Sequence, residues 1–427
     1  MKKADTITPA NKKAMTFAVL SQSFGMLGQV AFSQGFMLIY FNALKLSAFE
    51  IMIFMSLPYF VLGFSLLPFA VLSARYQRKQ FGIIGIFLTV IGFCFFAVTP
   101  LLSSRFFPLI AAIVFFSLGT SMFNAVWFEL LHPHLPAHYR GRFLGILRFV
   151  WQSVGMLFYF AVSIILMHNS SLVILQIVLL LITAGLFSRF LFYRNITEAN
   201  KPVPRFLNIG KAVKILVQSK GFVEYAAYIF LLTLFTSAVP FIFGLIEKKI
   251  MLLNDDTVSF LGVLLTAGNL SGYFLGGRII DRFGTKTVFI ACHFAYGAVM
   301  LLFPLRGFMP FPLVFIGILN FSYGLLFAAS STAITTEALF IAPQSHIAIA
   351  TSANDTLINC GRSIAGFLCA WIVKCGMLSN SWKIGKTSAS AYDTILISFV
   401  IMIILLVITL GLIPSVIIRK KTVSFRY

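Results

Sequence analysis

The chain has 427 residues, of which 59% are hydrophobic and only 11% charged, and its mean hydropathy is +0.96. A soluble domain of this length cannot hide so much apolar surface, so lipid is the solvent for most of the chain. The formal net charge of +21 does not point to nucleic acid, because the basic residues fall between apolar runs, where Lys and Arg set topology and meet anionic lipid.

A helix needs about 20 apolar residues to cross the hydrocarbon core, and it satisfies its own backbone groups there. Runs of that length occupy Met15–Tyr40, Ser47–Leu72, Phe81–Leu102, Phe106–Leu131, Phe143–Met167 and Ser171–Tyr193. A polar, basic stretch follows from Arg194 to Lys220, broken by Pro202, Pro204 and Gly210, and it reads as a linker with one short surface helix. Six further runs cover Phe222–Ile246, Thr257–Ile280, Thr287–Leu305, Phe311–Thr336, Ala350–Cys375 and Tyr392–Ile418. These runs are numbered spans 1 to 12. The expected organisation is a six-helix bundle over 1–193, a linker over 194–221, and a second bundle with a short basic tail over 222–427.

Orientation follows from the loops. Lys2, Lys3, Lys12, Lys13, Arg78, Lys79, Arg140, most of the linker's basic residues and the tail from Arg419 all gather on one side. The positive-inside rule makes that side, with both termini, cytoplasmic. The other side keeps few basic residues, among them Lys248 and Arg306, partly offset by Glu50, Glu247, Asp255, Asp256 and Asp393. The first run is too long for a signal-peptide core and is expected to stay in the protein. The expected location is the inner (plasma) membrane of a bacterium, as a monomer among lipids. Cys94, Cys292, Cys360, Cys369 and Cys375 show no ligand spacing and read as packing residues. His132, His134 and His138 cluster without a fourth ligand. No metal and no cofactor is expected.

Two sets of six spans around a basic linker suggest two parallel repeats. The loop after span 8 is Gly277-Arg278-Ile279-Ile280-Asp281-Arg282-Phe283-Gly284-Thr285-Lys286. It resembles the loop signature of the major facilitator superfamily, a glycine, then Asp-Arg-x-Gly, then basic residues, with Thr285 at a position that is often basic. The matching loop after span 2 is degraded, with Ala74 at the Asp position, Arg75 next to it and Gln77 at the Gly position. Aligning Ala74 with Asp281 gives a repeat offset of about 207 residues, which puts Arg148 opposite Asp355. The resemblance covers the whole chain and implies an all-α fold of twelve membrane helices, which alternates access by rocking two halves.

Ionisable groups inside the membrane are costly and usually functional. Those noted are Arg148, His293, Asp355 and Arg362, with Glu129, Glu224 and Glu337 nearer the helix ends. The resemblance implies that span 5 meets span 8 and span 11 meets span 2. Gating pairs of Asp281 with Arg142 or Arg148, and of Arg75 with Asp355, are one reading; local pairs of Arg148 with Glu129 and of Asp355 with Arg362 are the other. Gly277, Arg282, Gly284 and Lys286 complete the candidate lock, and the ladder Gly268, Gly272, Gly276 allows close helix packing. Asp355 and Glu129 are the candidates for coupling to a proton or sodium ion. His293 reads as a packed residue.

In the family resembled, spans 1, 4, 7 and 10 line the central cavity. Their polar positions include Gln22, Gln29, Asn124, Trp127, Tyr228, Thr236, Asn320 and Tyr323. Amides and tyrosines beside tryptophan suit a neutral polar or amphipathic small molecule, though the same amides also cross-link helices. An efflux pump or lipid flippase of the same fold is the alternative, and a transporter-like sensor ranks below it. Span 5 reads Val154-Gly155-Met156 and lacks the glycine-proline signature of drug antiporters. Membrane-enzyme motifs are absent, so an enzyme is not expected.

Overall fold

The structure is a computed structural model that describes residues 8–33, 35–73, 76–135, 140–198, 221–341, 347–376, 381–384 and 387–411, with positions 210, 214, 217 and 218 between them. Among these residues twelve helices are long and apolar enough to cross a membrane: Pro9–Ser33, Ala48–Ser73, Arg78–Leu101, Phe106–Trp127, Ile146–His168, Leu172–Tyr193, Phe222–Ile250, Asp255–Ile280, Thr285–Phe308, Pro312–Ala338, Ser352–Lys374 and Ala391–Thr409. The protein is an integral, multi-pass membrane protein. Each span matches one predicted run in order. The face carrying the 6–7 connection is the linker end, and the opposite face is the hairpin end. The hairpin end is named for a feature the sequence did not suggest, an antiparallel pair of β1 (Trp382–Ile384) and β2 (Thr387–Ala389) between spans 11 and 12.

Backbone breaks are placed by glycine and proline. Span 1 stops at Ser33, and a second helix, Phe36–Ala43, resumes after Gly35, whose φ of 80° is costly for any residue with a Cβ. In span 7 the first helix ends at Thr236 and Val239–Leu245 takes over. Pro240 has no N–H, so the Thr236 carbonyl loses its helical donor. The Tyr323 hydroxyl of span 10 donates to that carbonyl instead.

The glycine ladder works as its spacing suggests. Gly268, Gly272 and Gly276 lie against Phe321, Leu325 and Ala329 of span 10, close enough that a Cβ on the first two would meet backbone. Spans 3 and 4 use the same device at Gly85, Gly119 and Gly92.

The halves meet along two seams, span 5 on span 8 and span 2 on span 11, where Gly63 faces Cys360 and Gly366 faces Ser56. The apolar core is divided unevenly between the two ends. Toward the hairpin end one continuous cluster joins Phe36, Tyr40, Phe41 and Phe54 of the first half to Phe243, Phe303, Tyr323 and Cys369 of the second. Leu38 reaches Gly244, Gly35 reaches Val258, and Lys374 lies 4.5 Å over the Phe49 ring. Toward the linker end the core splits into separate clusters, around Phe123, Trp127 and Tyr193 in the first half and around Tyr228, Ile280 and Phe289 in the second. Among the described residues the halves share one core at the hairpin end and keep separate cores at the linker end.

Candidate substrate cleft

The solvent-reached region between these separate cores is the candidate cleft, and span 11 supplies charges to it. Asp355 and Arg362 are two helical turns apart and so share a face. The Asp355 side chain is solvent-accessible although protein surrounds it, which puts it in the cleft and not against lipid. Arg362, and Arg148 from span 5, both lie within electrostatic reach of its carboxylate. No ion pair forms at Asp355 among the described residues; its carboxylate accepts a hydrogen bond from Asn354 Nδ2 at 3.4 Å. Asn354 Oδ1 in turn lies 3.2 Å from the Tyr225 hydroxyl, which donates to the Ile334 carbonyl.

Aromatic faces seat both guanidiniums. Arg148 lies 5.5 Å over Tyr273 of span 8, and Trp151 meets the same ring at 6.4 Å. Arg362 lies 5.4 Å from the Tyr59 ring of span 2 and 5.8 Å from Phe327 of span 10. Each arginine therefore touches the opposite half across its own seam. The cavity candidates of spans 1, 4, 7 and 10 carry no formal charge. The charges enter from spans 5 and 11.

The predicted cavity residues divide into two groups. Gln29 is half-buried and Asn124 exposed, while Gln22 is half-buried and accepts a hydrogen bond from Arg189 Nη2 at 3.0 Å. The others are packed. Trp127 stacks on Phe123 inside the first half. The Tyr228 hydroxyl is 2.5 Å from His293 Nδ1, and His293 Nε2 is 2.9 Å from Ser330 Oγ, a chain joining spans 7, 9 and 10. Thr236 Oγ1 donates back to the Leu232 carbonyl, and Tyr323 caps Thr236. Asn320 donates to Glu247 at 2.9 Å, close to the hairpin end.

In the candidate lock, Gly284 closes span 8 and opens span 9 at a φ of 81°. Nothing lies within 4 Å of a Cβ added at Gly277. Arg282 lies 5.3 Å over Phe283, and Thr285, standing where a basic residue was expected, donates to the buried Glu337 at 2.7 Å. Lys286 is half-buried. The side chains of Asp281, Arg142 and Glu129, and all of Arg75, lie outside the described residues.

Sequence reasoning missed four buried charges. Arg189 sits in span 6 with its guanidinium 3.4 Å over the Phe123 ring and against Gly25. Glu247, read as an exposed loop charge, is 3% exposed because a π-helical turn over Ile246–Ile250 rotates it toward Asn320. Arg306 and Asp393, read the same way, form a buried bidentate pair at 2.5 and 3.1 Å. A Ser390–Asp393 capping box was the available signal for the last.

The model of the Major Facilitator Superfamily matches residues 17–366. The chain belongs to that superfamily. Its members' fold is confirmed by solved structures. A POT family transporter in complex with 5-aminolevulinic acid superposes with a TM-score of 0.74 at 12% identity, covering 97% of this chain and 98% of the other. The nucleoside transporter NupG superposes with a TM-score of 0.67 at 13% identity, covering 94% and 98%. Comparison with curated proteins finds no match. The superfamily is one of transporters, and Arg148, Asp355 and Arg362 are the charged candidates this chain offers to a cargo.

Proposed function

We propose that this protein is a secondary active transporter that carries a small polar or amphipathic solute by alternating access, with both termini cytoplasmic. The division of its apolar core carries the reading: one cluster seals the halves at the hairpin end, while at the linker end each half keeps its own core and Asp355 is reached by solvent between them. Under the cytoplasmic orientation this form is open to the inside. Asp355 is the carboxylate at which a proton or sodium ion would couple to transport, since it is the acid standing in the cleft.

The test is a disulfide across the hairpin-end seal, from Leu38→Cys with Gly244→Cys in a background lacking the five native cysteines. Solute flux in proteoliposomes, with substrates drawn from a thermal-stabilisation screen, should stop on oxidation and return on reduction. Undiminished flux through the oxidised pair would refute alternating access at this seal. Stabilisation confined to lipids or amphiphilic drugs would move the assignment to a flippase or efflux pump.

A further inference from the structure

We propose that the cleft binds an organic anion of single negative charge, whose acidic group bridges Arg148 of the first half and Arg362 of the second while its unsaturated body lies among Trp151, Tyr273, Tyr59 and Phe327. The inference deepens the transporter reading of the same cleft and rests on it for the site's role in transport, but not for binding.

Charge balance is the first ground. Among the described side chains, two guanidiniums face one carboxylate in the cleft, Arg148 and Arg362 against Asp355. Glu337, near the linker end of span 10, is buried against Thr285 and is not among the charges that act on Asp355. An uncompensated cation between apolar walls is costly, and one bound anion restores neutrality.

Hydrogen bonding is the second. Arg306 has Asp393 and Arg189 has Gln22. Arg148 and Arg362 are described only with ring faces, and neither donates a hydrogen bond to a described residue. A guanidinium presents five donors in a fixed plane that matches a carboxylate, and stacking on a ring holds that plane while leaving its edge free. Both arginines are thus oriented, half-buried and without an acceptor among the described residues.

Placement is the third. Arg148 and Arg362 belong to opposite halves, and each rests on a ring from the half it faces: Tyr273 of the second half for Arg148, Tyr59 of the first for Arg362. A bridging anion ties the halves together at both seams. Its binding energy then acts on the relative position of the halves, which a ligand held by one half alone cannot do. Asp355 opposes a second negative charge and limits the ligand to one.

The experiment measures binding to the full-length protein in detergent, by thermal shift and by Trp fluorescence. The probes are benzoate, phenylacetate, nicotinate and indole-3-acetate, each beside its neutral amide, with zwitterionic phenylalanine and the dianion phthalate as controls. The expected result is that at least one monoanion binds and its amide does not. Arg148→Gln and Arg362→Gln should each weaken that Kd by about 10- to 100-fold, the loss of a charge-assisted hydrogen bond. Asp355→Asn should leave the monoanion bound and admit phthalate. Arg362→Lys, which keeps the charge, guards against misfolding: it should bind more tightly than Arg362→Gln. Equal binding of acids and amides, no binding by any monoanion, phenylalanine bound in a manner that Asp355→Asn abolishes, or an Arg362→Gln Kd unchanged would each overturn the proposal. Anion binding without flux would leave the site standing and remove the transporter reading; flux of neutral solutes with no anion bound would do the reverse.

Discussion

Tyr323→Phe isolates one hydrogen bond in the membrane interior. The ring of Tyr323 packs against Phe243 and Tyr296 at 5.7 and 5.2 Å, and phenylalanine preserves both contacts. What is lost is the hydroxyl's bond to the Thr236 carbonyl, which Pro240 leaves without a helical donor. Tyr323 is 1% exposed, so water cannot replace it. A buried acceptor left unsatisfied costs about 1–3 kcal/mol. In a Pro240→Ala background the new N–H at position 240 can reach Thr236, and the cost of Tyr323→Phe should fall below about 0.5 kcal/mol, giving a coupling of about 1–2 kcal/mol in a double-mutant cycle. The assay is equilibrium unfolding of the four proteins in mixed micelles. An equal cost of Tyr323→Phe in both backgrounds would refute the capping argument. Unimpaired ligand binding by Tyr323→Phe is also expected, since its hydroxyl faces backbone rather than the cleft.

Three further outcomes are expected from the same unfolding assay. Asp393→Asn should cost about 3–5 kcal/mol by stranding the buried Arg306, whereas replacing both partners with Arg306→Met and Asp393→Leu should cost much less; equal losses would sink the ion-pair account. Gly284→Ala should lose about 1–2 kcal/mol, because its φ of 81° is strained for a residue with a Cβ, while Gly277→Ala, with open space around the new methyl, should be neutral or gain up to about 1 kcal/mol. Gly25→Ala should lose about 1–3 kcal/mol through collision with the Arg189 guanidinium, and most of that loss should vanish in an Arg189→Leu background.

Hydropathy alone located every span, because apolar length is what the bilayer selects. The packing of spans 8 and 10 was legible in Gly268, Gly272 and Gly276, since small residues at one-turn spacing have few other uses in lipid. Helix rotation was not legible. Tyr228, Asn320 and Tyr323 looked like cavity residues because polar groups in apolar helices must find partners, and a sequence does not say whether the partner is a solute or another helix. Here the partners are His293, Glu247 and the Thr236 carbonyl. Glu247, Arg306 and Asp393 were misread for the opposite reason: each stands at the end of an apolar run, where a charge usually meets water, and a π-turn or a facing charge draws it inward. Arg189 was hidden by the long apolar run around it. The charges Arg148, Asp355 and Arg362 were legible as ionisable groups within apolar runs, but that Arg148 comes within electrostatic reach of Asp355 was not.

The two ends of the molecule are held by different forces, and they should answer to different variables. The hairpin-end seal is built from phenylalanine, tyrosine and aliphatic side chains shared between the halves, so its strength follows the hydrophobic effect, weakening on cooling and largely indifferent to salt. The linker end is bordered by basic loops, where attraction and repulsion are screened within about 10 Å at 0.1 M salt. Under the alternating-access reading proposed above, temperature should act on one gate and ionic strength on the other. On that reading the two barriers are separately adjustable, and a series run at fixed salt with varied temperature, then the reverse, would assign each kinetic step of the proposed cycle to the end of the protein that controls it.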